Sequence, residues 1–188
     1  MGINKVGVVV FLHVGVVVVS FMIAAVLHAA LHALPRAKTV QQMRPFAALV
    51  HRLEPMLPIL ALFILGFGAW LIHLEDLKWG DGWILTGLIA LIVVEGLAGA
   101  LLAPHSKKLV AAIEAAGEGV ASTELRRQTL DPFIWYVAHI ATVSFLGVVF
   151  VMLDKPTGGG AVLIVAISAI VGVALARVQL NAAAKQIG

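Results

Sequence analysis

The sequence predicts an all-α bundle of membrane-spanning helices, four in a core and a fifth beside them, with the N-terminus outside and the C-terminus in the cytoplasm. Three observations predict it. Of the 188 residues, 61% are hydrophobic and 12% charged, against roughly 45–50% and about 25% in soluble domains. The mean hydropathy of +1.04 is concentrated in five apolar runs, each near or above the about 20 residues that cross a bilayer. Lysine and arginine gather on alternate connections between those runs. So little polar surface excludes an ordinary soluble enzyme, and so much apolar surface excludes a disordered chain. There is no cysteine, which excludes disulfides, thiolate metal sites, cysteine nucleophiles and covalent c-type haem.

The runs define one transmembrane domain over residues 1–188, with spans at about 6–34, 53–74, 83–103, 132–153 and 161–180. The first run exceeds the about 7–15 apolar residues of a signal peptide, so it reads as a retained helix. Pro55 and Pro58 open the second run, where a missing N–H costs little. The connection 104–131 is the longest. Leu109 and Ile113 continue a helical period there, Gly117 and Gly119 break it, and Ser122 with Glu124 reads as a new helix start before Pro132. The connector 154–160 ends in Gly158-Gly159-Gly160 and reads as a flexible turn. In the last run Ser168, Gly172 and Ala176 make a small-residue face suited to close packing on the bundle, on a membrane-protein partner or on a second copy.

Orientation follows from the basic residues. Arg36, Lys38, Arg44, Arg52, Lys107, Lys108, Arg126, Arg127, Arg177 and Lys185 fall on one side, and Lys5, Lys78 and Lys155 on the other. The richer side is the cytoplasmic one. Trp70, Trp79 and Trp83 read as anchors at the outer interface, and Trp135 and Tyr136 at the inner one. Basic residues at helix ends meet lipid headgroups, so the net charge of +3 points to the bilayer as partner and to no nucleic acid.

Ionisable groups at membrane depth are costly and mark candidate sites. Glu95 lies in the third span among Gly96, Ala98 and Gly99, whose small side chains let another helix approach. His13 and His28 lie on the first span and His139 on the fourth. His28, Glu95 and His139 each fall roughly 9–12 Å from the inner end of their spans, a depth at which they can converge. Neutral imidazoles facing one another across a bundle suit haem iron, and also copper or zinc. His28 and His32, one turn apart, form a helical chelating pair. A hydrogen-bonded imidazole or a protonated interhelical glutamate is the plain alternative in each case. No nucleophile elbow, phosphate loop or zinc-protease motif is present, and no catalytic residue is assigned.

Phe11-Leu12-His13-Val14-Gly15 in the first helix, Leu65-Gly66-Phe67-Gly68-Ala69-Trp70-Leu71 in the second, the stretch from Lys107-Lys108-Leu109 through Glu124-Leu125-Arg126, and Val151-Met152-Leu153-Asp154-Lys155-Pro156 closing the fourth resemble an uncharacterised bacterial family of integral-membrane proteins. That family is distantly similar to CopD-type copper-resistance proteins and HemJ-type protoporphyrinogen oxidases. The resemblance covers about residues 5–156 and implies a bacterial cytoplasmic membrane. The HemJ likeness implies a haem b role for His13; the lysine of its third helix is replaced here, where Glu95 is the ionisable group. The CopD likeness implies copper handling. The leading expectation is therefore a haem-b-binding membrane protein in redox or haem handling, alone or as a subunit of a larger complex, with His13, His28 and His139 as candidate ligands and Glu95 proton-linked. A non-catalytic accessory subunit and a copper or proton-coupled transporter are the alternatives.

Overall fold

The computed structural model describes residues 4–185, and among them every regular element is helical. Five helical stretches are long and apolar enough to cross a membrane. Their outward faces carry large apolar side chains such as Phe11, Leu62, Leu163 and Ile170. In water such faces drive aggregation; in a bilayer they are the ordinary solvent-facing surface. The protein is a multi-pass integral membrane protein built as a helical bundle.

Helix α1 (Lys5–Ala33) starts at Asn4, whose side chain accepts from the Gly7 N–H. A 3₁₀ turn at Leu34–Arg36 buries Pro35 and stops it. The basic segment that follows is not a loop. It forms α2 (Val40–Leu53), opened by a capping box in which Thr39 and Gln42 satisfy each other's backbone donors. Val40, Met43 and Ala47 turn inward from α2, and Arg44, His51 and Arg52 outward. Helix α3 (Met56–Leu74) follows at an elbow where Glu54 caps α2 and Pro55 precedes α3.

The third span is interrupted. Helix α4 (Gly82–Leu97) passes through a π-turn at Ala98–Leu102 into α5 (Ala103–Ala115). The cause is legible in the residues. Pro104 has no N–H to give the carbonyl of Ala100, and its ring crowds that carbonyl, so the wider π-turn relieves both. Ser122 caps the short α6 (Thr123–Gln128) by accepting from Leu125, as its spacing predicts.

Helices α7 (Pro132–Asp154) and α8 (Gly158–Ala184) form the most extensive pair. The expected glycine turn does not form: Gly158, Gly159 and Gly160 are the first turn of α8. The reversal is made by Lys155, in the left-handed region at φ 50, followed by Pro156. Glycine is needed there because α4 and α8 start backbone to backbone; a Cβ on Gly82 would meet the Gly158 Cα at 2.5 Å. The Lys155 ammonium lies 5.3 Å from the Trp83 ring centre, a cation–π contact across the same end. The small face of α8 packs on α7. A Cβ on Gly172 would stand 2.8 Å from the Ile140 Cα and 2.9 Å from the His139 carbonyl oxygen. Such an approach gives van der Waals association without a hydrophobic driving force.

The larger core lies at the end of the bundle that carries most of the basic residues. Leu31, Met43, Ile113 and Trp135 from α1, α2, α5 and α7 meet there. A smaller cluster at mid-bundle joins Ile64, Leu91 and Phe145, with Phe21 stacked on Phe145 at 4.8 Å.

Candidate functional site

Three of the nominated histidines come together at the basic end. On α1 a four-residue spacing puts His28 and His32 on one face, and on α7 the same spacing aligns Trp135 with His139. The His28 and His139 rings meet edge to face at 4.8 Å, His32 stands 6.2 Å from His139 and 4.9 Å from Trp135, and Trp135 lies parallel to His139 at 5.9 Å. Trp135 is fully buried at 0% exposure and donates from its indole N–H to the Thr129 carbonyl, 3.0 Å away. It walls the histidine cluster and is not the interfacial anchor its position in the chain suggests.

Hydrogen bonding orients each ring. His28 Nδ1 lies 2.9 Å from the Ala24 carbonyl oxygen. A carbonyl only accepts, so Nδ1 carries the proton, and Nε2 keeps its lone pair in the neutral ring. His139 Nδ1 donates to the Trp135 carbonyl at 2.7 Å, and its Nε2 lies 2.8 Å from the Gln179 side chain on α8. In a neutral His139, Nε2 accepts, so Gln179 presents its NH₂ there; the two ends of an amide are interchangeable in shape. The same amide is within hydrogen-bonding reach of His32.

Glu95 does not join this cluster directly. It shares with His28 a cavity of about 110 Å³. Ser20 and Ala24 of α1, Thr142 and Phe145 of α7, and Ala98 of the π-turn also line it, as do Glu54 and Ser106 toward the basic end. His28 is thus the link: it touches His139 on one side and opens on the Glu95 cavity. His139 does not line that cavity. Glu54, Ser106 and Gln179 were not singled out by the sequence reading. For Glu54 a signal existed, a carboxylate directly before the proline that opens a span; for Gln179, an amide near the end of an apolar helix.

His13 lies apart. Fifteen residues of α1, about 22 Å of helix, separate it from His28. Its ring packs on α3, with Cε1 3.4 Å from where a Cβ on Gly68 would stand. Its buried Nδ1 makes no close hydrogen bond, and the ring lies near the Ile64 backbone of α3.

These residues do not fit a haem b held between His13 and His139, which face different parts of the bundle. Nor does a porphyrin fit between His28 and His139, whose rings are in contact and whose second member has both nitrogens engaged. The cavity of about 110 Å³ is small beside the about 300–1,000 Å³ of drug-sized ligand pockets. Among the described residues no group of three histidine or acidic side chains is arranged to hold a metal ion. His28 and His32 face the same way, but toward His139 and Trp135.

No protein-family model matches the chain, and neither the curated proteins nor the solved structures contain a significant match to it.

Proposed function

We propose that the protein is a proton-linked transporter of the bacterial cytoplasmic membrane, with Glu95 and His28 as the protonatable groups of its binding chamber. One observation carries this reading: Glu95 of α4 and His28 of α1 open on a single, mostly apolar cavity beside a π-turn. An ionisable group at membrane depth is retained at a cost, and such groups mark ion and proton pathways. A π-turn frees backbone carbonyls and recurs at functional positions. The cavity also bounds the cargo. An apolar cavity of about 150 Å³ holds one benzene, so about 110 Å³ admits a solute or substituent no larger than a single small ring.

The test is infrared difference spectroscopy of the protein in bilayers, stepped from acid to alkaline pH. The expected result is a protonated-carboxyl band that fades as pH rises in the wild type and is missing in Glu95→Gln. A band that stays constant over the whole range makes Glu95 a fixed interhelical hydrogen bond, and the accessory-subunit reading then replaces this one.

Haem b binding in redox or haem handling has two supports. One is the family resemblance. The other is the His28 Nδ1 bond to Ala24, the kind of contact that orients ligand imidazoles. The small cavity and the two occupied nitrogens of His139 weigh against it.

A further inference from the structure

We propose that Glu54 is the proton-exchange carboxyl of this chamber, passing protons between water at the basic end of the bundle and Glu95 through water held in the cavity; the proposal rests on the proton-linked reading above. Glu54 stands at the elbow between α2 and α3, with its backbone N–H held by the Val50 carbonyl at 3.1 Å. Its half-buried side chain lies beside the Ser106 hydroxyl and near the Lys107 ammonium, both on α5. It lines the same cavity as Glu95 and His28. The charged and titratable groups around it are therefore Lys107 on α5, His28 on α1, Glu95 on α4, and His51 and Arg52 on its own helix, the last two turned outward.

The two carboxyls are too far apart for direct transfer. Ser106, the neighbour of Glu54, follows Glu95 by eleven residues, about 16 Å of helix, whereas proton transfer needs heavy atoms about 2.6–3.2 Å apart or a bridging water. The cavity supplies the space. One water needs about 10–15 Å³ and two to four polar partners; the cavity has about 110 Å³, and Glu54, Ser106, His28, Ser20, Glu95 and Thr142 form the polar part of its otherwise apolar lining. It also supplies partners along the way. Ser20 gives its hydroxyl proton to the Val16 carbonyl at 2.9 Å and keeps lone pairs for a water. Thr142 and the His28 ring stand on the same wall. The step balances simply. Glu54 gives its carboxyl proton to the adjacent water, the file delivers a proton to the Glu95 carboxylate, and Glu54 regains one from water at the basic end. Only O–H bonds form and break. Ser106, itself buried, stands beside the Glu54 carboxyl at the basic end of the cavity.

The experiment is time-resolved infrared spectroscopy on the protein in bilayers, following protonation of Glu95 after a laser-released proton. Glu54→Gln is expected to slow that protonation by about 100-fold or more, the low side of what a positioned proton-transfer group contributes. The extent of Glu95 protonation reached at each pH is expected to stay as in the wild type, and Glu54→Asp, which keeps a carboxyl, is expected to recover most of the rate. Glu54→Gln protonating Glu95 at the wild-type rate overturns the proposal and leaves the transporter reading standing. A Glu95 that does not titrate in the wild type overturns the transporter reading first. A second measurement avoids any folding defect of the variants: wild-type protein is treated with dicyclohexylcarbodiimide, which adds to protonated carboxyls, and mass spectrometry selects conditions that cap Glu54 and spare Glu95. The same slowing is expected there, and an unchanged rate counts against Glu54.

Discussion

His28 of α1 and His139 of α7 touch edge to face with ring centres 4.8 Å apart, and the two rings face different surroundings. His139 is sealed, at 3% exposure, between the Trp135 carbonyl and Gln179. His28 is fixed at Nδ1 only and opens on the cavity that holds Glu95. One ring therefore serves packing and its neighbour faces the chamber. Substitutions at the two positions are expected to separate accordingly: His139→Ala lowers thermal stability, and His28→Ala changes the pH dependence of the Glu95 infrared band. Identical effects from both would remove the distinction.

Gln179 bridges α8 to this cluster. Gln179→Leu removes the amide and leaves His139 Nε2 buried without a partner, at a cost of about 1–3 kcal/mol. Thermal unfolding in detergent measures it. A Gln179→Leu variant as stable as the wild type would mean the bond contributes nothing.

Gly172 is a point of backbone-to-backbone contact in the α7–α8 pair. A methyl group there meets backbone atoms of Ile140 and His139 at 2.8 and 2.9 Å, and backbone cannot move aside as a side chain does. Gly172→Ala is expected to cost about 1–3 kcal/mol, the usual range for overpacking, and to lengthen the His139–Gln179 bond. Gly159→Ala is the control, since nothing lies within 4 Å of its added carbon.

Asp131 has two jobs at the start of α7. One oxygen accepts from the Phe133 N–H at 2.9 Å, and the other lies 2.7 Å from His105 Nδ1. His105 in turn stacks on Phe133 at 4.4 Å. Asp131→Ala loses the cap, about 1 kcal/mol. His105→Ala loses a partly exposed pair, about 0.2–1 kcal/mol. A double variant that costs less than the sum of the singles would demonstrate their coupling.

The ligand and the topology are both simple to check. Protein isolated from haem-replete cells is expected to show no Soret band; a strong, reducible spectrum would return the haem reading to first place, with His28 as the ligand to test. Reporters at the C-terminus and at Gly159 are expected in the cytoplasm and outside, respectively, from the excess of basic residues at one end. A cytoplasmic signal from Gly159 would invert the orientation.

The sequence by itself determined the helical membrane bundle, because hydropathy is a sum over residues and needs no knowledge of what packs on what. It also located the ionisable groups inside the apolar runs and the helix start at Ser122, since a side-chain cap acts within three residues. The tertiary structure alone decided which of those groups meet. Helix rotation and axial offset come from close contacts such as Gly172 on Ile140 and Gly82 on Gly158, and these bring His28 to His139 while leaving His13 on α3. It decided that Gly158–Gly160 begins a helix: the approach of α4 required glycine at Gly158, and Lys155 took the reversal. It decided, finally, that the cavity has two carboxyls. Glu54 and Ser106 lie on segments far apart in the chain, and only the folding of α2 against α5 brings them together on its wall.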